Sequence, residues 1–171
     1  MKIVGIVGSA SKNSGNEALL NEVADKIVND EEMIVYTRLR DWPLFRPEDL
    51  EAGKPSIILK FKDLIENADA VIIATPEYSH NIPAVLKNMF EWCTASGEFN
   101  DKPVLALTYA PQSPRGEYAM KSLLFTLQTL KAQVKAQLPL YKTELPYDGN
   151  TIDWNDEQLQ LLKEAVRLLQ E

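Results

Sequence analysis

Three short stretches gather the hydrogen-bonding side chains of this chain where the apolar pattern breaks. The first, Gly8–Asn16 ("GSASKNSGN"), offers hydroxyl and amide groups at Ser9, Ser11, Asn13, Ser14 and Asn16 and runs directly into a helical pattern. Free backbone N–H groups and the positive end of a helix dipole suit an anion, so this loop reads as a phosphate cradle. The competing reading is that Ser14 or Asn16 caps the helix and the rest is a solvated turn. The second stretch, Thr75–Pro83 ("TPEYSHNIP"), is an exposed turn stiffened by Pro76 and Pro83, with an aromatic face at Tyr78 and polar groups at Ser79, His80 and Asn81. Such an arc suits a planar ring with hydrogen-bonding edges. The third is Tyr109–Tyr118 ("YAPQSPRGEY").

A phosphate site beside a flat-ring site suggests a mononucleotide cofactor, and FMN has that shape. The common nucleotide motifs are missing. A Walker A loop closes on Gly-Lys-Ser/Thr, which does not occur here, and a Rossmann fingerprint needs Gly-x-Gly-x-x-Gly and an acidic residue ending the second strand. Gly5 and Gly8 have the wrong spacing, and the second apolar run ends "YTRLR".

Other reactive side chains are few: one His, one Cys and no paired metal ligands. Cys93 falls on the apolar stripe of a helical pattern and reads as a core residue rather than a reactive thiol. His80 either contacts the bound ring or donates a proton there, or is an exposed loop histidine. Glu77 is placed either to have a raised pKa in an apolar crevice or to form an ion pair across a subunit boundary, for instance with Arg115. Glu91 reads as a solvated helix residue. Trp42 and Phe45 read as packing within a long loop ahead of a pocket cap or a dimer contact.

The elements that must position these loops follow from periodicity. Lys2–Val7, Met33–Thr37, Ala70–Thr75 and Val104–Thr108 are continuously apolar and β-branched, the mark of strands covered on both faces, and a weaker fifth lies at Val134–Leu138. Helical spacing separates them: Leu20, Val23, Ala24, Ile27 and Val28; Ile58, Phe61 and Ile65; Val85, Leu86, Met89, Phe90 and Cys93; Tyr118–Leu130; and a closing amphipathic helix at Trp154–Leu169. Alternating strands and helices predict right-handed crossovers and a three-layer, doubly wound, five-stranded parallel α/β sheet of flavodoxin-like order 2-1-3-4-5. In that order the ligand crevice lies beyond the carboxyl ends of strands 1 and 3, where the three loops should meet. Leu39–Lys54 and Pro139–Asn155 read as longer irregular segments, serving either a site or an interface, or covering one helix layer.

At 171 residues the chain is expected to form one domain, 1–171. A net charge of −7 opposes nucleic acid and anionic lipid as partners. No apolar run reaches the length of a membrane span. The N-terminal run leads into a strand-to-helix pattern rather than a signal sequence. A single cysteine fits a reducing compartment, so the expected location is the cytoplasm.

The segments "GSASKNSGN", "LRDWPLFRPEDLE" (Leu39–Glu51) and "TPEYSHNIPAVLKNMFEW" (Thr75–Trp92) resemble the three signature segments of the NADPH-dependent FMN reductase family, which includes quinone, azo-dye and chromate reductases. Their order and spacing agree along roughly the first 110 residues. The resemblance implies a flavodoxin-like fold with FMN held noncovalently. Its phosphate would lie in the loop that holds Ser9, Ser11, Ser14, Gly15 and Asn16. Its ring would lie against Pro76, Glu77, Tyr78, Ser79, His80 and Asn81 and against Ala110 and Pro111. It also implies NADPH or NADH as donor, a small-molecule acceptor, and a homodimer or homotetramer with the flavin near a subunit boundary. No catalytic side chain and no metal is implied, because the flavin carries the reaction. Arg38, Arg40 and Arg115 either attract the extra phosphate of NADPH or are surface charges.

Two departures stand out. Ser11 occupies the position where the family usually has Arg, leaving Lys12 as the substitute charge, and the loop after the fourth strand keeps only Gly116 of a usually glycine-rich segment. The alternative reading is a flavodoxin-like electron carrier without NAD(P)H oxidation of its own, which the acidic surface favours. A third is a flavin-free domain of the same fold, serving assembly or regulation.

Overall fold

The computed structural model describes residues 1–28 and 32–171. Five strands, β1 (Lys2–Val7), β2 (Glu32–Tyr36), β3 (Ala70–Thr75), β4 (Pro103–Ala110) and β5 (Gln133–Tyr141), form one sheet in the order β2-β1-β3-β4-β5. Every neighbouring pair is parallel. This is the flavodoxin-like, doubly wound order expected from the sequence. β3 is buried along its whole length, which explains why its sequence shows no alternation of apolar and polar residues.

Among the described residues six α-helices connect or flank the strands: α1 (Gly15–Lys26), a single turn α2 (Asp49–Ala52), α3 (Ser56–Glu66), α4 (Ala84–Cys93), α5 (Glu117–Thr129) and α6 (Asp156–Arg167). Alternate residues of each strand feed opposite faces, as a period of two requires. Val4, Ile6, Val71 and Ile73 pack with Ile58 and Phe61 of α3, Leu86 and Met89 of α4, and Leu123 and Leu127 of α5. On the other face Ile3, Val7, Ile72 and Leu105 pack with Leu19, Leu20 and Val23 of α1 and with Leu162 and Ala165 of α6.

The boundaries of three strands differ from those expected. β2 begins one residue earlier and stops at Tyr36. β4 begins one residue earlier, at Pro103, and runs two residues further, to Ala110. β5 extends to Tyr141, taking in Pro139, the residue expected to open an irregular segment. β5 has only β4 as a neighbour, and an edge strand leaves room for a residue that cannot donate to the ladder.

The long segment after β2 is anchored to the helix layer. Trp42 is buried against Phe61 and Tyr36, and its indole N–H donates to the Tyr36 hydroxyl at 2.8 Å. The Pro43 carbonyl accepts from both the Asn88 amide (2.9 Å) and the Trp92 indole N–H (3.0 Å), and Phe45 stacks edge-on against Trp92. Packing, one of the readings of Trp42 and Phe45, is what these contacts describe. Cys93 is buried in the same layer, and burial pushes its thiol up to about 12, so it stays protonated and is a core residue.

Candidate functional site

The carboxyl ends of β1, β3 and β4 release their loops side by side, and between them opens a cleft of about 780 Å³. The first loop supplies Ser9 and Ser11 through Asn16, the second Pro76 through His80, and the third Tyr109, Ala110, Pro111 and Arg115. Lys142 and Tyr147, from the segment after β5, complete the wall. Twelve of the thirteen residues expected at the cofactor therefore line one cavity. The thirteenth, Asn81, does not: its side-chain oxygen accepts from the Ile82 N–H at 2.8 Å and from the Ser122 hydroxyl at 2.6 Å, tying the turn to α5.

The serine loop is built by local hydrogen bonds. Ser14 caps α1, its hydroxyl accepting from the Glu17 N–H at 3.2 Å, and Glu17 reaches back to accept from the Asn13 N–H at 3.1 Å. The hydroxyl of the buried Ser9 accepts from the Ser11 N–H. Arg40 braces the outside by donating to the carbonyls of Ala10 and Thr37, and Arg38 pairs with Asp41. The cap expected as the structural alternative is present, yet one Ser–NH bond leaves the other first-turn donors of α1 facing the cleft end of the helix.

Asn16 carries the clearest signal of a ligand. It is 5% exposed, and its side-chain oxygen is buried with no partner among the described residues. An orphaned buried acceptor costs about 1–3 kcal/mol unless something donates to it. Gly15 beside it lets two aromatic rings close on the start of the helix: a Cβ there would come within 2.9 Å of Tyr109 Cε1 and 3.4 Å of Tyr147 Cδ1. A phosphorylated polyol fits this donor set, with an anion for the helix terminus and hydroxyl donors for Asn16.

In the second loop, Ser79 and His80 hold left-handed φ angles of +50° and +57°. Tyr78 and Asn81 exchange backbone hydrogen bonds of 2.9 and 3.0 Å around them, which makes a two-residue turn of the I′ kind without glycine. This backbone thrusts His80 outward: its side chain is 78% exposed and stacks edge-on against Tyr118 at 4.8 Å. Glu77 lies below. One carboxylate oxygen accepts from the backbone N–H groups of Gly116, Tyr118 and Ala119 at 3.1, 2.9 and 3.1 Å, and the other stands 3.5 Å from His80 Nδ1. Glu77 is thus committed to the N-terminus of α5 within its own chain, and among the described residues Arg115 has no ion-pair partner.

Tyr109, Lys142 and Tyr147 are not singled out by the sequence. Tyr109 is buried, donates its hydroxyl to the Leu145 carbonyl, and is pushed up to about 12 by burial, with a smaller contribution from Tyr147. The Tyr147 hydroxyl lies between the Gly149 carbonyl at 2.7 Å and the Asn13 carbonyl at 2.9 Å and shares its one proton between them, which brings the segment after β5 against the serine loop. For Lys142 and Tyr147 the available signal is an irregular stretch after the last strand that carries a lysine and a tyrosine. Among the described residues no group of three or more His, Cys, Asp or Glu could hold a metal, and no helix is long and apolar enough to cross a membrane.

The profile of the family described as NADPH-dependent FMN reductase matches residues 1–141. The chain is 40% identical over 106 residues to the NADH:(hydroxy)cinnamate reductase subunit CrdA of Vibrio ruber, a match that covers 61% of this chain and 52% of that protein. It is 27% identical over 175 residues to an NAD(P)H-dependent FMN reductase of Pseudomonas aeruginosa, covering 99% and 94%. Among solved structures, the flavoenzyme NAD(P)H:acceptor oxidoreductase FerB of Paracoccus denitrificans shares the fold with a TM-score of 0.78 at 22% identity, over 99% of this chain and 95% of that one.

Proposed function

We propose, from the premise that this chain belongs to the NADPH-dependent FMN reductase family, that it is an NAD(P)H-dependent FMN oxidoreductase serving a quinone, azo compound, free flavin or similar small acceptor. The observation that carries the reading is Asn16, buried with an unpartnered side-chain oxygen at the N-terminus of α1, in the wall of the same cleft as the Pro76–His80 turn. FMN, when bound, supplies the redox chemistry, taking electrons as hydride from the nicotinamide and passing them to the acceptor.

The protein's part is binding and orientation. In this reading the donors of Ser9–Asn16 and the first turn of α1 hold the phosphate, and Asn16 accepts from the polyol. Pro76 to His80, with Ala110 and Pro111, hold the ring, and Asn81, expected beside them, ties their turn to α5. Glu77 fastens the ring-side loop to α5 through three N–H groups, which fixes the width of the cleft. His80 stands at the rim rather than beneath it, suited to meeting an incoming donor or acceptor.

The absorption spectrum of the freshly purified protein, followed by NADPH and then NADH with FMN and a quinone, tests the proposal. A flavin spectrum and direct nicotinamide oxidation are expected. Protein that is colourless, does not retain added FMN and oxidises neither nicotinamide would end it. Retained flavin without nicotinamide oxidation would instead favour an electron carrier.

We further infer that residues 1–171 act as one domain, in the cytoplasm, as a homodimer or homotetramer. The exposed Tyr118 and Phe125 on α5 support self-association, since large apolar side chains left bare on one helix suit a protein partner. Light scattering should give a multiple of the 19.3 kDa chain mass, and a mass of one chain would refute the oligomer.

A further inference from the structure

We propose that Lys142 is the phosphate-binding cation of the cleft and the residue that makes the site prefer FMN to riboflavin; the inference rests on the FMN reading above. The wall behind the N-terminus of α1 is aromatic. A Cβ at Gly15 would touch Tyr109 and Tyr147, so both rings stand directly behind the first residue of the helix. Lys142 Nζ lies 5.7 Å from the centroid of each of those rings. The ammonium is therefore held beside the helix terminus, where an anion is already favoured by the dipole and the free N–H groups.

Its position is fixed from both ends. The Lys142 backbone N–H donates to the Ala110 carbonyl at 2.9 Å, which continues the β4–β5 ladder by one residue and pins the Cα at the rim of the cleft. The two ring faces attract the ammonium without neutralising it. Among the described residues Lys142 has no carboxylate partner, although the chain carries 25 acidic side chains against 18 basic ones. Lys12, the cation within the serine loop, lines the cleft as well, but it is exposed, and among the described residues no hydrogen bond or ion pair holds its side chain. A charge already in place loses less conformational freedom on binding than one that must be recruited.

The independent sign that this corner is a built site is Asn16, a residue of the cleft wall that is nineteen-twentieths buried with an unpartnered side-chain oxygen. The Tyr147 hydroxyl meets the Asn13 carbonyl of the serine loop at 2.9 Å and the Gly149 carbonyl at 2.7 Å, so the ring beside Lys142 also touches the cradle. Lys142 acts on the phosphate alone. Its loss should weaken FMN and leave riboflavin, which has no phosphate, unaffected.

The test is titration of the native chain, Lys142→Gln, Lys142→Arg and the control Lys163→Gln, an exposed lysine on α6, with FMN and with riboflavin, read by quenching of flavin fluorescence. The expected result is an FMN affinity about tenfold weaker in Lys142→Gln, the size of one charge-assisted contact. Riboflavin affinity should be unchanged, and Lys142→Arg and Lys163→Gln should stay near native. Native FMN affinity in Lys142→Gln, an equal loss for both flavins, or an equal loss in Lys142→Arg overturns the role of Lys142 while leaving flavin binding intact. Failure of the native chain to bind either flavin overturns both this inference and the function it rests on.

Discussion

The Glu77 carboxylate accepts the backbone N–H of Tyr118 at 2.9 Å, across 41 residues of sequence. Two further N–H groups, those of Gly116 and Ala119, reach the same oxygen, so the loop after β3 provides the cap that α5 lacks on its own side, where Gly116 stands at the capping position.

Glu77→Ala should therefore cost about 1–2 kcal/mol, as for loss of a charged helix cap, and lower Tm by about 2–8 °C in a chain of this size. Glu77→Gln keeps an acceptor oxygen and should lose less. Thermal melts of the three proteins check this, and a Glu77→Ala protein that melts with the native one would show that the contact is idle.

Gly15→Ala sets helix propensity against space. Alanine favours a helix over glycine by up to about 1 kcal/mol, but the new methyl would come 2.9 Å from a carbon of the buried Tyr109 ring. Overpacking of this kind costs about 1–3 kcal/mol, so a net loss of stability is expected from urea unfolding. FMN retention should fall too. A gain of stability in Gly15→Ala would mean that Tyr109 moves freely, contrary to its tight burial.

Replacing Ser79-His80 by Asn-Gly places residues that accept left-handed φ where the chain now holds +50° and +57°. The turn should gain up to about 1 kcal/mol from relieved strain, less the contacts of His80 with Tyr118 and Glu77. Calorimetry gives the stability and steady-state kinetics the function. Raised Tm with lost nicotinamide oxidation marks His80 as working at the rim, whereas raised Tm with full activity marks it as a bystander.

The alkaline limb of stability should carry the signature of Cys93. Burial raises its thiol from 9.0 to about 12, so between those values the unfolded chain releases a proton that the folded chain keeps. The stabilising effect is complete below pH 9 and is lost as pH rises toward 12. Tyr109, raised from 10.0 to about 12, acts in the same direction over the upper part of that range. Urea titrations from pH 7 to pH 10.5 should show stability falling more steeply in the native protein than in Cys93→Ala. Parallel slopes would contradict the burial argument.

Much of this architecture can be read locally. Lys2–Val7 and Ala70–Thr75 coincide with β1 and β3 because strands covered on both faces must be apolar at every position, and that demand is written residue by residue. The parallel order and the crevice at the switch point follow from alternating elements and the hand of their crossovers. The serine loop and the Pro76–His80 turn are legible for the same reason: each directly follows a strand.

Tertiary structure alone decided how the polar groups are shared out. Nothing local tells Glu77 that its partners lie in Gly116–Ala119, or diverts Asn81 from the cleft to Ser122 and its own neighbour. Tyr147 reaches the serine loop, and Lys142 the same cleft, only because β5 pairs with β4 and brings the following segment back toward Gly15. Apolar burial repeats with the period of its own element and so leaves a pattern in the sequence, whereas a hydrogen bond or a charge contact between distant loops depends on where the packed elements end, and leaves none.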